Sequence, residues 1–110
     1  MAGYYVIKKG TSGLYHFVLK ADNHEVILTS ETYISKQGAN TGIASCQVNS
    51  PHDGRYDKRT STANQPYFVL KAANGEIIGN SQMYSSIAAR DGGIASCKVN
   101  GPTKQIIDEA

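Results

Sequence analysis

A chain of 110 residues with 40% hydrophobic and 18% charged residues has the composition of a globular protein, which excludes a disordered chain. Eleven Lys and Arg residues against nine Asp and Glu leave a formal charge of +2, too small to attract polyanions unless the basic residues cluster. No apolar run is long enough to span a membrane, and the N-terminal residues lack the pattern of a secretory signal. We therefore expect a small soluble, cytoplasmic protein that forms a single domain over residues 1–110.

The first third of the chain predicts strands with a clear core side. Tyr4–Lys9 is rich in β-forming residues and is followed by a turn over residues 10–13. Tyr15–Lys20 alternates along its length, so we expect Phe17 and Leu19 to face the core. The opposite side of this strand carries His16, Val18 and Lys20.

A hairpin turn, a third strand and a helix follow. The turn over residues 22–24 leads into Glu25–Thr29. Ser35 is a good N-cap for the helix, because its hydroxyl can accept a hydrogen bond from an unpaired first-turn N–H. The helical stripe consists of Ala39, Ile43 and Cys46. Pro51 ends the helix because proline cannot continue it.

The second half of the chain repeats the first. Gly42–Asn49 returns with one replacement as Gly93–Asn100, an offset of 51 residues, and the match extends over most of each half. A period of this length predicts one structural unit that is built twice. We take residues 1–54 as the first repeat and residues 55–110 as the second.

The second copy predicts the same elements as the first. Phe68 and Leu70 face the core. The opposite side of their strand carries Tyr67, Val69 and Lys71. Asn74 and Gly75 predict a type I′ hairpin turn before the third strand, Glu76–Asn80. Ser86, or its neighbour Ser85, is the candidate N-cap of the second helix.

Two further strands complete the predicted pattern. Arg55–Thr60 closes the first unit and also opens the second, and Lys104–Glu109 is the last strand. Each unit therefore reads β-β-β-α-β.

The two cysteines predict packing rather than chemistry. Cys46 and Cys97 occupy equivalent positions among small apolar residues, where a free cysteine behaves as a small buried side chain. A disulfide between them is disfavoured in a reducing cytosol. A catalytic cysteine needs an electropositive, partly exposed setting, and neither position has one in the sequence.

No other residues form a recognisable reactive constellation. The three histidines, His16, His24 and His52, share no metal-ligand spacing, so we predict no metal and no other cofactor. A serine and a tyrosine recur at matched positions, as Ser30 with Tyr33 and Ser81 with Tyr84. No base accompanies either pair, so we expect the serines to satisfy backbone groups and the tyrosines to pack over the helix starts. We predict no catalytic residue.

Two motifs, each present twice, carry a family resemblance. Ser-x-x-Tyr-x-Ser begins at Ser30 and Ser81, and Gly-Ile-Ala-Ser-x-x-x-Asn begins at Gly42 and Gly93. With the Asn-Gly-Glu hairpin, this pattern resembles the duplicated members of the YegP-like family of small bacterial proteins. The resemblance implies an α+β fold of tandem repeats forming a single antiparallel sheet, with both helices on one face and the C-terminal strands swapped between repeats. It implies no activity, because that family has no established function.

Both helices on one face would leave the other face of the sheet uncovered. The candidate interaction surface there consists of His16, Val18, Lys20, Tyr67, Val69 and Lys71. Valines, a tyrosine and lysines on an uncovered face are a plausible contact surface. We therefore expect a non-enzymatic interaction module that contacts a protein partner or a second copy of itself.

Two alternatives rank below this expectation. The first is a weak binder of single-stranded nucleic acid through stacking on Tyr67 and basic contacts. The basic residues of this alternative are Lys20, Lys58, Arg59 and Lys71. The second is an enzyme with an unrecognised site, which would need a cleft that one sheet and two short helices hardly provide. Binding to a membrane is not expected.

Overall fold

Strands and helices form where the sequence predicts them, and the computed structural model describes residues 3–110. The strands are β1 (Tyr4–Lys9), β2 (Tyr15–Lys20), β3 (Val26–Ser30), β4 (Tyr56–Thr60), β5 (Pro66–Lys71), β6 (Ile77–Asn80) and β7 (Ile106–Asp108). The helices are α1 (Lys36–Asn49) and α2 (Ile87–Asn100). Met1 and Ala2, which the first predicted repeat includes, lie outside the described residues.

One sheet contains all seven strands in the order β4-β5-β6-β3-β2-β1-β7. The pair β3 and β6 joins the two repeats at its centre, so the repeats are related by an approximate twofold axis. The strand after α1 pairs with β5 of the second repeat, and the strand after α2 pairs with β1 of the first. The tandem α+β architecture and the swapped C-terminal strands are confirmed.

The prediction of a wholly antiparallel sheet is wrong at one pair, because β7 runs parallel to β1. Symmetry explains this difference. The start of β4 is the sequence equivalent of β7, and the twofold axis relates β4 to β1. The place beside β2, which corresponds to the place of β4 beside β5, is therefore already occupied by β1. β7 pairs instead with the outer edge of β1 and runs in the same direction as β1. Lys36 of α1 also contacts β7 through a 2.9 Å ion pair with Asp108, in which both side chains are exposed.

Serine caps begin both helices as predicted. The hydroxyl of Ser35 accepts a hydrogen bond from the N–H of Gly38, and that of Ser86 accepts one from the N–H of Ala89, each at 3.0 Å. Each helix has 14 residues. Neither helix in the described part of the chain is long and apolar enough to cross a membrane.

The core lies between the two helices and one side of the sheet. Its fully buried side chains include Tyr5, Phe17, Leu19, Leu28, Ile43, Phe68 and Leu70. The predicted core side of β2 and β5 is therefore confirmed. Cys46 and Cys97 are buried in the same core as free thiols, which confirms their packing role.

The hairpin turns differ from the type I′ turn that the sequence predicts. Gly75 alone has a positive φ, +88°, and its N–H donates to the carbonyl of Ala72 at 2.9 Å. The loop thus has three residues and ends in a left-handed residue. His24 takes the equivalent position with a φ of +71°, a conformation that costs a non-glycine residue more than glycine.

Candidate functional site on the open face of the sheet

The face of the sheet away from the helices, here called the open face, follows directly from the strand register. Val18 lies opposite Val6 on one side and Thr29 on the other, and none of the three belongs to the core under the helices. The same register places the other predicted surface residues on the open face, namely His16, Lys20, Tyr67, Val69 and Lys71. The face also includes Tyr4 and Lys8, which are not among the predicted surface residues although the alternation in β1 indicates them.

The two valines of the predicted surface are not accessible for contact. Val18 is 6% exposed and Val69 is 3% exposed. Both lie in inner strands with neighbours on either side, and the long side chains next to them, such as Lys20 and Lys71, are half-buried. A contact through this face would therefore use the more exposed side chains around the two valines, and the predicted surface remains a prediction.

Most of the charged side chains on the open face are basic. On β1 to β6 the register places four basic residues there, Lys8, Lys20, Arg59 and Lys71. Asp57 is the one acidic residue of the same strands on this face. Lys58, which is predicted to act with these residues in nucleic-acid binding, instead points to the helix side and lies 3.7 Å from Asp91 of α2. Alternation along β4 separates it from its neighbours.

Asp57 neutralises part of this charge in the second repeat. Its carboxylate accepts hydrogen bonds from Arg59 at 2.9 Å and lies 3.5 Å from the ammonium of Lys71. The Arg59 hydrogen bond, helped by Lys71, lowers the pKa of Asp57. The equivalent position in the first repeat is Val6, so Lys20 has no such carboxylate beside it.

Aromatic and aliphatic side chains border the basic residues. Tyr4 hydrogen-bonds the Nδ1 atom of His24 through its hydroxyl at 2.7 Å, and Tyr67 lies directly opposite Arg59. The exposed aliphatic side chains are Val26 (39%), Ile77 (41%) and Ile107 (46%). They are spread across the face, on β3, β6 and β7, and do not form one continuous apolar patch.

The repeated Ser–Tyr pair serves the fold. Ser30 accepts a hydrogen bond from the N–H of Phe17 at 2.8 Å and donates to the carbonyl of Glu31 at 2.7 Å. Ser81 makes the same two bonds in the second repeat. The predicted backbone role of both serines is confirmed, and neither hydroxyl is free for acid–base chemistry.

Metal-binding residues do not converge in the described part of the chain. The three histidines lie apart, in β2, in the β2–β3 turn and before β4. Within residues 3–110 there is no group of three or more His, Cys, Asp or Glu side chains that could hold a metal ion.

Two tyrosines connect the helix ends in a way that the sequence does not indicate. The hydroxyl of Tyr5 donates to the carbonyl of Gly101 at the end of α2, and that of Tyr56 donates to the carbonyl of Ser50 at the end of α1, each at 2.6 Å. Both tyrosines also neighbour the buried thiols. Burial, with a contribution from Cys97, raises the pKa of Cys46 to about 12.

A comparison with protein families identifies the repeated unit. The model described as "Domain of unknown function (DUF1508)" matches residues 11–57 and again residues 61–108. The chain belongs to the DUF1508 family. Each DUF1508 match begins before the second strand of a repeat and ends in the strand that follows its helix, so the matched unit includes the swapped strand.

Relatives of this DUF1508 protein share its full length. The UPF0339 protein of Shewanella oneidensis is 56% identical over 108 residues and the UPF0339 protein YegP of Escherichia coli K12 is 50% identical over 108 residues, and each match covers 98% of both chains. The YegP-like resemblance is thus confirmed. Both names describe uncharacterised proteins.

Two solved structures share the fold. The solution NMR structure of the Shewanella protein has a TM-score of 0.92 at 56% identity and covers 98% of this chain and 92% of its own. The solution NMR structure of YegP from E. coli, described as a protein of unknown function, has a TM-score of 0.94 at 50% identity and covers 99% of this chain and 94% of its own. Neither description names a ligand or partner.

Proposed function

We propose that this DUF1508 protein is a non-enzymatic binding protein whose open face contacts an acidic surface of a partner protein. The observation that carries the proposal is the ratio of four basic residues to one acidic residue on the open face of β1 to β6. The net positive charge is concentrated on this side, because the rest of the chain carries seven basic and eight acidic residues. Complementary charge steers association and selects partners.

Self-association through this face is less well supported. A symmetric dimer would set the open face against itself, so that basic side chains of one copy would meet those of the other. Like charges in contact are destabilising, and the burial of Val18 and Val69 leaves little apolar area to offset them.

Single-stranded nucleic acid is the second candidate, because an aromatic ring and cations share the face. Tyr67 lies beside Arg59, and Lys71 is in the same strand. Stacking combined with phosphate contacts is the usual mode of such binding. Tyr67 is half-buried, which leaves less of its ring available for stacking on a base. The acidic protein surface is therefore favoured over nucleic acid.

Two observations support the remaining parts of the proposal. Ser30 and Ser81 are engaged in backbone hydrogen bonds, which agrees with a protein that catalyses no reaction. The free thiols of Cys46 and Cys97 agree with a reducing compartment such as the cytoplasm.

Matched charge reversals test the proposal. The test variant is Lys20→Glu with Lys71→Glu on the open face, and the control is Lys9→Glu with Lys58→Glu on the helix side of the edge-proximal strands β1 and β4. Both variants have the same net charge. A photo-crosslinking residue at Thr29, which is exposed on the open face, would capture the partner in cells, and one at the exposed Ala44 in α1 is the control position.

The result expected is a crosslinked protein at Thr29 that is lost in the open-face variant and retained in the control variant, with no crosslink at Ala44. In solution, the same partner should bind the open-face variant on the order of tenfold more weakly. Equal loss in both variants would attribute binding to net charge alone and contradict the proposal. Salt-dependent binding of a single-stranded oligonucleotide with no crosslinked protein would favour the second candidate.

A further inference from the structure

Two grooves lie on the helix side of the sheet, opposite the open face. The first, here called the α1 groove, has a volume of about 1010 Å³ and lies between α1 and the turn joining β5 to β6. The second, the α2 groove, has about 220 Å³ and lies between α2 and the turn joining β2 to β3. Each groove thus needs the helix of one repeat and the hairpin of the other.

The two grooves are equivalent under the twofold axis that relates the repeats. Glu76, Tyr33 and Ser45 line the α1 groove, and Glu25, Tyr84 and Ser96 take the same positions in the α2 groove. One lining position differs in charge, because Glu31 of the α1 groove corresponds to Gln82 of the α2 groove. The α1 groove is therefore the larger and the more acidic of the two.

A tyrosine hydroxyl is fixed in the wall of the α1 groove. The ring of Tyr33 stacks on Phe17 with centroids 6.3 Å apart and the planes 13° from parallel. The hydroxyl end of the ring meets α1 at Gly42, where an added Cβ would lie 2.3 Å from the hydroxyl oxygen. Held in this way, the hydroxyl has little freedom to turn away from the groove.

The carboxylates of the α1 groove have no cationic partner among residues 3–110. Neither Glu31 nor Glu76 forms a salt bridge there, and the groove is lined by no Lys, Arg or His. The amide of Asn74 donates to Glu76 at 3.0 Å but carries no charge. Both carboxylates line the same groove as Tyr33, whose pKa is raised by burial, by Cys46 and then by these two glutamates.

We propose that the α1 groove binds an organic cation that carries primary ammonium groups. Glu31 and Glu76 accept hydrogen bonds from the ammonium, Tyr33 accepts a further one, and the aliphatic stem of the ligand packs on Ala72 and Ile78. The ligand bridges the two repeats, because Glu31 and Tyr33 belong to the first and Glu76 to the second. The α2 groove, with one carboxylate fewer, binds the same class of ligand more weakly.

Amide NMR of the ¹⁵N-labelled full chain at low ionic strength tests the site with two defined probes. Spermidine represents a free polyamine, and a short neutral-backbone peptide with a single lysine represents a protein side chain. We expect saturable shifts at Gly38, Gly42 and Gly75, which line the α1 groove. The probe that binds more tightly identifies the source of the ammonium group.

Matched variants separate this site from general attraction to acidic residues. Glu76→Gln should weaken binding at the α1 groove by about tenfold, since it removes a charged hydrogen-bond acceptor and keeps the size. Glu25→Gln makes the same change in the α2 groove and should leave the α1 groove affinity unchanged. Non-saturable shifts, shifts spread over all surface carboxylates, or equal effects of the two variants would overturn the proposal.

Discussion

At the scale of single residues, Gly42 and Gly93 are retained because a tyrosine ring packs against them. An added Cβ at Gly93 would lie 2.2 Å from the hydroxyl oxygen of Tyr84 and 2.6 Å from its ring, and Gly42 is in the same position against Tyr33. The tyrosines in turn stack on the core phenylalanines. The motif glycines thus fix the crossover segments between sheet and helix.

Alanine substitutions at two adjacent glycines of α2 test this explanation. Gly93→Ala should lower the free energy of unfolding by about 1 to 3 kcal/mol, since the methyl group displaces Tyr84. Gly92→Ala is the matched control, because nothing lies within 4 Å of its Cβ position. It should raise the free energy by up to about 1 kcal/mol through helix propensity. Denaturant unfolding measures both, and effects of the same sign would contradict the explanation.

At the scale of elements, the C-terminal ends of the two helices meet near the twofold axis. An added Cβ at Gly101 would lie 2.0 Å from the Oγ atom of Ser50, so the helix ends are in direct contact. At this junction the hydroxyls of Tyr5 and Tyr56 donate hydrogen bonds to the carbonyls of Gly101 and Ser50 at the helix ends. The buried thiols of Cys46 and Cys97 lie in the core next to this junction. Both helices and the strands β1 and β4 therefore pack around one shared centre.

The pH dependence of stability tests the environment of the thiols. Burial raises the pKa of Cys46 to about 12 and that of Cys97 to about 11, whereas in the unfolded chain they ionise near pH 8.5. A raised pKa of an acid means that the folded state keeps protons that the unfolded state has lost. The stabilisation is complete below about pH 8.5 and decreases as the pH rises toward 11.

We therefore expect the free energy of unfolding to fall by at most about 1.4 kcal/mol per pH unit for each thiol between about pH 9 and 11. The double variant Cys46→Ala with Cys97→Ala is the control, and its decrease over the same range should be smaller. Urea unfolding at a series of pH values provides both curves. Parallel curves would show that the thiols do not contribute.

At the scale of the whole molecule, the two ends of the sheet are not alike. The outer edge of β1 is covered by β7, whereas no strand within residues 3–110 lies beside the outer edge of β4. The uncovered strand carries Asp57, Lys58 and Arg59, charged residues of the kind that protect an exposed edge from pairing. The strand that β7 covers carries the apolar Val6 and Ile7 instead.

Removal of β7 should therefore cause association. Deletion of residues 105–110 would expose the edge of β1, and we expect concentration-dependent oligomers together with a lower free energy of unfolding. Asp108→Asn, which removes only the exposed ion pair with Lys36, is the control and should stay monomeric with little loss of stability. Sedimentation velocity at several concentrations distinguishes the two, and a monomeric deletion variant would contradict the protective role of β7.

For the open face, the sequence predicts the orientation of the side chains but not their accessibility. Alternation in β2 and β5 is enough to place Lys20 and Lys71 on the same side as Val18 and Val69, because side chains in a strand point to alternate faces. The accessibility of these side chains is not determined by alternation. It depends on which strands become neighbours, and inner positions in the sheet bury the valines while the lysine ends stay exposed.

The sequence by itself determined the repeat, the order of strands and helices, the caps at Ser35 and Ser86 and the core side of each strand, because these depend on residues close together in the chain. The tertiary structure alone decided the parallel pairing of β7 and the two grooves between repeats. Each of these depends on how the second repeat lies against the first. A local sequence pattern cannot predict that arrangement, because the contacts between the repeats join residues far apart in the chain.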